Sequence, residues 1–340
     1  MHAPEEGRLR VAFTELIDLA AEKVGGRALL ASDEFFAGKE NLLKPGRGVF
    51  IPDKYTGQGK WMDGWESRRK RVPGNDWCIL QLGLPGVVRG VDIDTNHFLG
   101  NFPDYASVDA LAVEGSPSPE SLVDAAWTRI LPQLKLQGGT RNLFPVLDER
   151  RWTHLRLNIY PDGGVARFRV HGEVRPDLER LTRGGALVDL AAAENGGTVA
   201  QCNDAFFGPK DNLILPGRAA HMGEGWETRR KRLLPGSDWL VVKLAVPGTL
   251  ERVEVDTAHY KGNFPESASL EGIFLREPPV DFANAHHLAW TEVLPRTKLQ
   301  ADFRHFFESE LRAKGPFTHV RLNIFPDGGV SRLRVHGRPA

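Results

Sequence analysis

The sequence predicts a mainly β protein made of two tandem β-sandwich domains, and three observations predict it. The chain has 340 residues, more than one hydrophobic core usually organises, so two domains are expected. Its second half repeats its first half almost motif for motif. Within each half, short alternating apolar and polar stretches are separated by Gly/Pro turns, which is the pattern of short strands.

The repeat fixes the organisation. LIDLA at Leu16 returns as LVDLA at Leu187, and DEFFAGKENLLKPGR at Asp33 returns as DAFFGPKDNLILPGR at Asp204. DGWESRRKR at Asp63 returns as EGWETRRKR at Glu224, and VDIDTNHFLGNFP at Val91 as VEVDTAHYKGNFP at Val253. AWTRILPQLKLQ at Ala126 and THLRLNIYPDGGV at Thr153 also have partners, at Ala289 and Thr318. The period is about half the chain, far above the 20–50 residues of a solenoid unit. Each copy is therefore domain-sized, giving domains 1–174 and 175–340. The first copy has an insertion, Gly48 to Trp61, that the second mostly lacks.

The elements follow in order. The LIDLA segments and the AWTRILPQL region read as short helices. WCILQLGLPGVVRGVDIDT from Trp77 reads as strand, turn, strand, with Leu-Pro-Gly at the turn. HLRLNIY and VARFRVHG read as a hairpin-like pair around Pro-Asp-Gly-Gly, where glycine supplies the positive φ. Leu155, Leu157 and Ile159 fall on one face, Arg156 and Asn158 on the other. This order resembles the galactose-binding-like, or discoidin-type, jelly roll.

Hydrophobic residues make up 41% and charged residues 26%, which places the chain among globular proteins and not disordered ones. Lys+Arg and Asp+Glu are both 44. With no net positive field, phosphate-backbone binding loses its main driving force, so nucleic acid is not expected as a partner. The start, MHAPEEGRLRV, shows no export pattern, and no apolar stretch approaches about 20 residues. A cytoplasmic location without membrane association is expected. Cys78 and Cys202 occupy non-matching positions of the repeat and read as reduced thiols.

Two motifs carry the candidate chemistry. The first is Asp63-Gly-Trp65-Glu66-Ser-Arg68-Arg69-Lys-Arg, returning with Arg229 and Arg230. Arginine's planar fork pairs with carboxylates, so this run suits a small anionic substrate; a solvated charged strand is the plain alternative. The second is Asp92-Ile-Asp94-Thr-Asn-His97, with Asn101 beyond it, returning as Glu254, Asp256, His259 and Asn263. Here Asp94 is expected to orient His97 as a general acid or base. An oxygen/nitrogen metal site from Asp92, Asp94 and His97 is a rival reading, and an Asx-type turn with a structural histidine is another. No strong metal signature is present, so no metal ligand is assigned and a divalent cofactor stays open.

His154, Arg156 and Asn158, matched by His319, Arg321 and Asn323, share a face and read as supporting groups. Phe35 and Phe36 read as core, the roles of Asp33, Lys39 and Asn41 stay open, and His171 and His336 read as structural. No HExxH, CxxC, Walker loop or GxSxG elbow occurs, which disfavours nucleotide and serine-hydrolase chemistry.

Taken together, NLLKPGRGVFIPDKYTGQGKWMDGWESRRKR, GNDWCILQLGLPGVVRGVDIDTNHFLGNFP and HLRLNIYPDGGVARFRVHG resemble the allantoicase family across residues 11–338. The resemblance implies a homo-oligomeric allantoate amidinohydrolase, which splits allantoate into ureidoglycolate and urea during purine breakdown. For that substrate, Arg68 or Arg69 suits the carboxylate, and Asn101 with Glu66 suits the ureido arms. His97 with Asp94 suits the acid/base step, with His259 and Asp256 as counterparts. Trp65, Asp63, Arg229, Arg230 and Asn263 complete the candidate site, and the insertion suggests a lid over the first copy. A non-enzymatic ligand-binding module and a ureidoglycolate-processing enzyme are the competing functions.

Overall fold

The computed structural model describes residues 13–115, 117–232 and 235–340; the N-terminal residues read above for an export signal lie outside them. The chain divides into two compact units between Arg175 and Pro176.

The first unit is built around one 19-residue strand, Asp76–Asp94. Its first half pairs antiparallel with Arg27–Ala31 on one side and Arg151–Tyr160 on the other. The layer continues through Tyr105–Leu111 to Thr128–Lys135 at its edge. The second half of the long strand pairs instead with Arg167–Val174 and Arg141–Pro145. One strand thus serves both layers of a sandwich. The second unit repeats this around Asp238–Asp256, which pairs with Thr198–Cys202 and Phe317–Phe325, then with Arg332–Pro339 and Arg304–Phe307. Two tandem, mainly β sandwiches are therefore the architecture.

Four local expectations change. The Leu-Pro-Gly at residues 84–86 does not reverse the chain. The strand continues through it, with a register shift between Gln81 and Gly86, because the Gly83 and Leu84 amides bond to the Leu19 carbonyl while Pro85 has no donor to offer. AWTRILPQL is not helical: Thr128–Lys135 is an edge strand. Pro132 would break a helix interior but is tolerated at a sheet edge, and Pro295 sits likewise in Thr291–Lys298. LIDLA is not helical either. Asp18 bridges to His171, and the Leu19 amide bonds the Val170 carbonyl at 2.7 Å, which buries Leu19 completely.

Pro-Asp-Gly-Gly does not close a hairpin either, because the two long strands on either side of it do not pair with each other. Arg151–Tyr160 and Arg167–Val174 pair with opposite halves of the long strand, so this turn carries the chain from one layer to the other. Leu155, Leu157 and Ile159 are fully buried, each worth about 1.5–3 kcal/mol of apolar burial. The opposite face of that strand is covered too. Asp109 accepts from Arg156 at 3.0 Å, from Asn158 at 2.9 Å and from Arg129, which neutralises a carboxylate that is only 3% exposed.

Candidate active site

The two-residue strand Trp65–Glu66 pairs with Gly164–Val165, and this small ladder aims Glu66 outward. Trp65 is fully buried and its indole N–H donates to the Asp33 carbonyl at 2.8 Å. Gly163 has φ 139°, a backbone that favours glycine. At Gly164 a Cβ would lie 2.0 Å from the Phe98 ring, so no larger residue fits. The Gly164 amide then reaches the Asn101 carbonyl at 2.8 Å, and Asn101 Nδ2 donates to Glu66 Oε1 at 2.7 Å.

These contacts surround an open basin of about 420 Å³, bordered by Glu66, Arg69, Lys70, Asn101, Asp104 and Asp162. The Lys70 amide donates to Asp162 Oδ2 and its Nζ to Asp76 Oδ1, both at 2.7 Å. Arg69 is exposed and has no hydrogen-bond or ion-pair partner among the described residues. Burial raises the Glu66 carboxyl above the ordinary carboxylate range, against the opposing pull of the Asn101 bond. The basin therefore combines a free guanidinium, a carboxyl biased toward its protonated form and a second carboxylate.

The second unit reproduces the arrangement. Asn263 Nδ2 donates to Glu227 Oε1 at 2.6 Å, the Lys231 amide to Asp327 Oδ2 at 2.6 Å, and Lys231 Nζ pairs with Asp238 at 2.6 Å. The Gly329 amide meets the Asn263 carbonyl at 2.8 Å. Glu227, Arg230, Asn263 and Asp327 border a basin of about 660 Å³.

Other candidates lie elsewhere. Asp94 and His97 are not paired. Arg47 takes both Asp94 oxygens at 2.8 Å, while His97 Nε2 donates to the Gly48 carbonyl at 3.1 Å and its ring stacks on Phe50. His259 does the same with the Ala219 carbonyl at 2.9 Å, and Asp256 faces Arg218 at 3.6 Å. Both histidines have positive φ, 68° and 70°, as turn residues anchoring a neighbouring loop. Asp92 is held by Arg141, so it does not join Asp94 and His97 as a ligand set. Among the described residues no group of three or more His, Cys, Asp or Glu is placed to hold a metal ion.

Arg68 bonds Asp33 and Arg229 bonds Asp204. Asp63 pairs with Arg167 at 2.7 Å. All three lie outside the basins. No residue of the Gly48–Trp61 insertion borders the basin. Its short hairpin, Tyr55–Thr56 with Gly59–Lys60, is exposed. Lys39 pairs with Glu34 and Glu40, and Asn41 bonds the Gly64 carbonyl. Phe36 borders the basin and Phe35 is largely exposed, so neither is simple core. His154 and His319 are buried beside Thr153 and Thr318, and Arg321 and Asn323 both bond Glu271. His171 donates to the Leu16 carbonyl at 2.8 Å.

Sequence reading missed Asp162 and Asp327. Both stand in the Pro-Asp-Gly-Gly motif, which reads as a turn, and its repetition in the second copy is the available signal.

The fold defines the class: a protein of two tandem, mainly β sandwiches, each bearing an open polar basin. The allantoicase repeat family matches residues 17–175 and 188–340. A probable allantoicase of Burkholderia mallei is 51% identical over 322 residues, 94% of each chain. The allantoicase of Dictyostelium discoideum is 48% identical over 325 residues, 95% of this chain and 87% of that one. The crystal structure of allantoicase from Saccharomyces cerevisiae aligns with a TM-score of 0.80 at 36% identity, covering 95% of this chain and 93% of the other. The chain belongs to the allantoicase family.

Proposed function

We propose that the chain hydrolyses allantoate to ureidoglycolate and urea, and that each unit does so in its own basin. Family membership supports the reaction and disfavours both a ureidoglycolate-processing enzyme and a non-catalytic binding module. The placement rests on one observation: a free guanidinium beside an amide-bound, half-buried carboxyl, built twice from matching residues.

In this reading Arg69 takes the substrate carboxylate in a charge-assisted fork. Asn101 Oδ1 accepts from a ureido N–H. Protonated Glu66 gives its proton to the nitrogen of the departing urea as the C–N bond breaks. Water supplies the hydroxyl to the carbon and its proton to Asp162, so the two carboxyls exchange protonation states and reset through solvent. General acid or base help of this kind is worth roughly 10²–10⁴-fold. Arg230, Asn263, Glu227 and Asp327 take the same parts in the second unit. His97 and Asp94, with His259 and Asp256, are assigned to bracing the loops.

Incubating purified protein with allantoate and following urea, with and without chelator, tests the reaction; no urea under either condition overturns it. A cytoplasmic homo-oligomer is part of the same proposal. The exposed Phe206 and Phe207 support association, and sedimentation of the purified chain together with cell fractionation tests both points.

A further inference from the structure

The first unit contains a second cavity, of about 380 Å³, that shares no lining residue with the basin. It lies where the long strand ends, at Asp92 and Asp94, facing the loop that carries Arg47. Both carboxylates are buried, and each fixes an arginine that is about half exposed: Arg47 on Asp94 and Arg141 on Asp92. Arg141 spends only its Nε on Asp92, at 2.6 Å. Its two Nη groups have no partner among the described residues, so they remain as oriented donors.

Three atoms of the cavity's lining residues are buried and unpaired: Asp92 Oδ1, His171 Nε2 and Arg167 Nε. His171 Nδ1 donates to the Leu16 carbonyl, so in the neutral ring Nε2 carries a lone pair. The unmet groups are thus two acceptors and a donor beside two pre-oriented guanidiniums. Buried polar atoms are normally satisfied, so such a set calls for a partner.

The second unit supplies an internal comparison. Glu254 replaces Asp92, and its extra methylene lets it grip Arg304 with both oxygens, at 2.7 and 3.0 Å. The first unit leaves that fork half open.

We propose that this cavity is a second binding site, separate from the basin, for a small carboxylic acid that also bears planar amide or ureido N–H groups. The carboxylate meets the free N–H groups of Arg141 and Arg47, in the fork geometry that favours arginine. The N–H groups of the ligand supply the donors that Asp92 Oδ1 and His171 Nε2 lack.

The probe is hydantoate, a ureido acid with one carboxylate, titrated calorimetrically into full-length protein whose two basins are disabled by Arg69→Ala and Arg230→Ala. One saturable site per chain is expected, with acetate and urea each binding at least tenfold more weakly. Adding Asp92→Glu, which copies the pairing already folded in the second unit, is expected to weaken hydantoate at least tenfold. Arg141→Met is expected to do the same, and thermal melts of all variants check folding. No saturable binding in the basin-disabled protein overturns the proposal, as does binding unchanged by both cavity substitutions. If the basin assignment alone is wrong, the disabling pair leaves the stoichiometry of the parent protein unaltered while the cavity variants still lose their site.

Discussion

Replacing Glu66 by Gln keeps the shape of the side chain and an oxygen to accept the 2.7 Å bond from Asn101, but removes the ionisable proton. If that proton goes to the departing urea, the affected basin loses about 10²–10⁴ in rate, or about 3–5 kcal/mol of transition-state stabilisation. Because Glu227 and Asn263 repeat the contact at 2.6 Å, the proposal gives the chain two such centres. Glu66→Gln alone is expected to leave roughly half the turnover, as is Glu227→Gln. The double variant is expected to fall by the full 10²–10⁴. Initial rates of urea release at saturating allantoate, on variants whose melts match the parent, give the answer. Burial raises the Glu66 carboxyl, and a general acid works only while protonated. Rate should therefore fall as pH climbs through that raised value, and Glu66→Gln should flatten this limb in the first basin. A folded double variant that retains more than about a tenth of parental turnover would refute the reasoning, since a loss under tenfold is below what proton transfer contributes.

Substituting His97 and His259 by Gln together should leave kcat within a few-fold and the pH profile unmoved, because both rings bond backbone carbonyls; a hundredfold drop in kcat would return them to the chemistry. Asp109→Asn should cost about 1–3 kcal/mol in urea denaturation at pH 7 by leaving two arginines underpaired. Burial raises the Asp109 carboxyl, but Arg129, Asn158 and Arg156 outweigh it and hold the group below its ordinary value. Its stabilisation is therefore full above about pH 4 and disappears as pH falls through the depressed value, so the parent–variant gap should close in acid and not in base. Gly164→Ala should lower stability by at least about 1–3 kcal/mol, since the new methyl would sit 2.0 Å from the fully buried Phe98; an unchanged melting temperature would contradict that packing.

Much of the fold was legible because duplication exposes which positions are held. The alternation of Leu155, Leu157 and Ile159 located a core strand, and PDGG located a turn. The route of that turn between layers was not legible, because residue pattern encodes a reversal without naming the strand's partner. AWTRILPQL misled because Trp127, Ile130, Leu131 and Leu134 have helical spacing, while the pairing that makes them a strand comes from Tyr105–Leu111, distant in sequence. Of the candidate site residues, Glu66, Arg69 and Asn101 border one basin. Asp94 and His97 do not come together, although only two residues separate them. A strand end followed by a positive-φ turn sends neighbouring side chains to different surroundings, and spacing alone contains no record of the Arg47 that claims Asp94.

The strand shared between layers has a consequence for how the chain is made. Asp76–Asp94 pairs in its first half with a segment near the start of the unit, Arg27–Ala31, and in its second half with one at the unit's end, Arg167–Val174. The first layer cannot be completed until Arg151–Tyr160 has left the ribosome, nor the second until Arg167–Val174 has. Most of the closing contacts are distant in sequence, which slows folding. The first unit's ladders nonetheless close entirely within residues before Pro176. Synthesis can therefore finish one sandwich before the near-copy emerges, which separates in time two sequences similar enough to exchange strands.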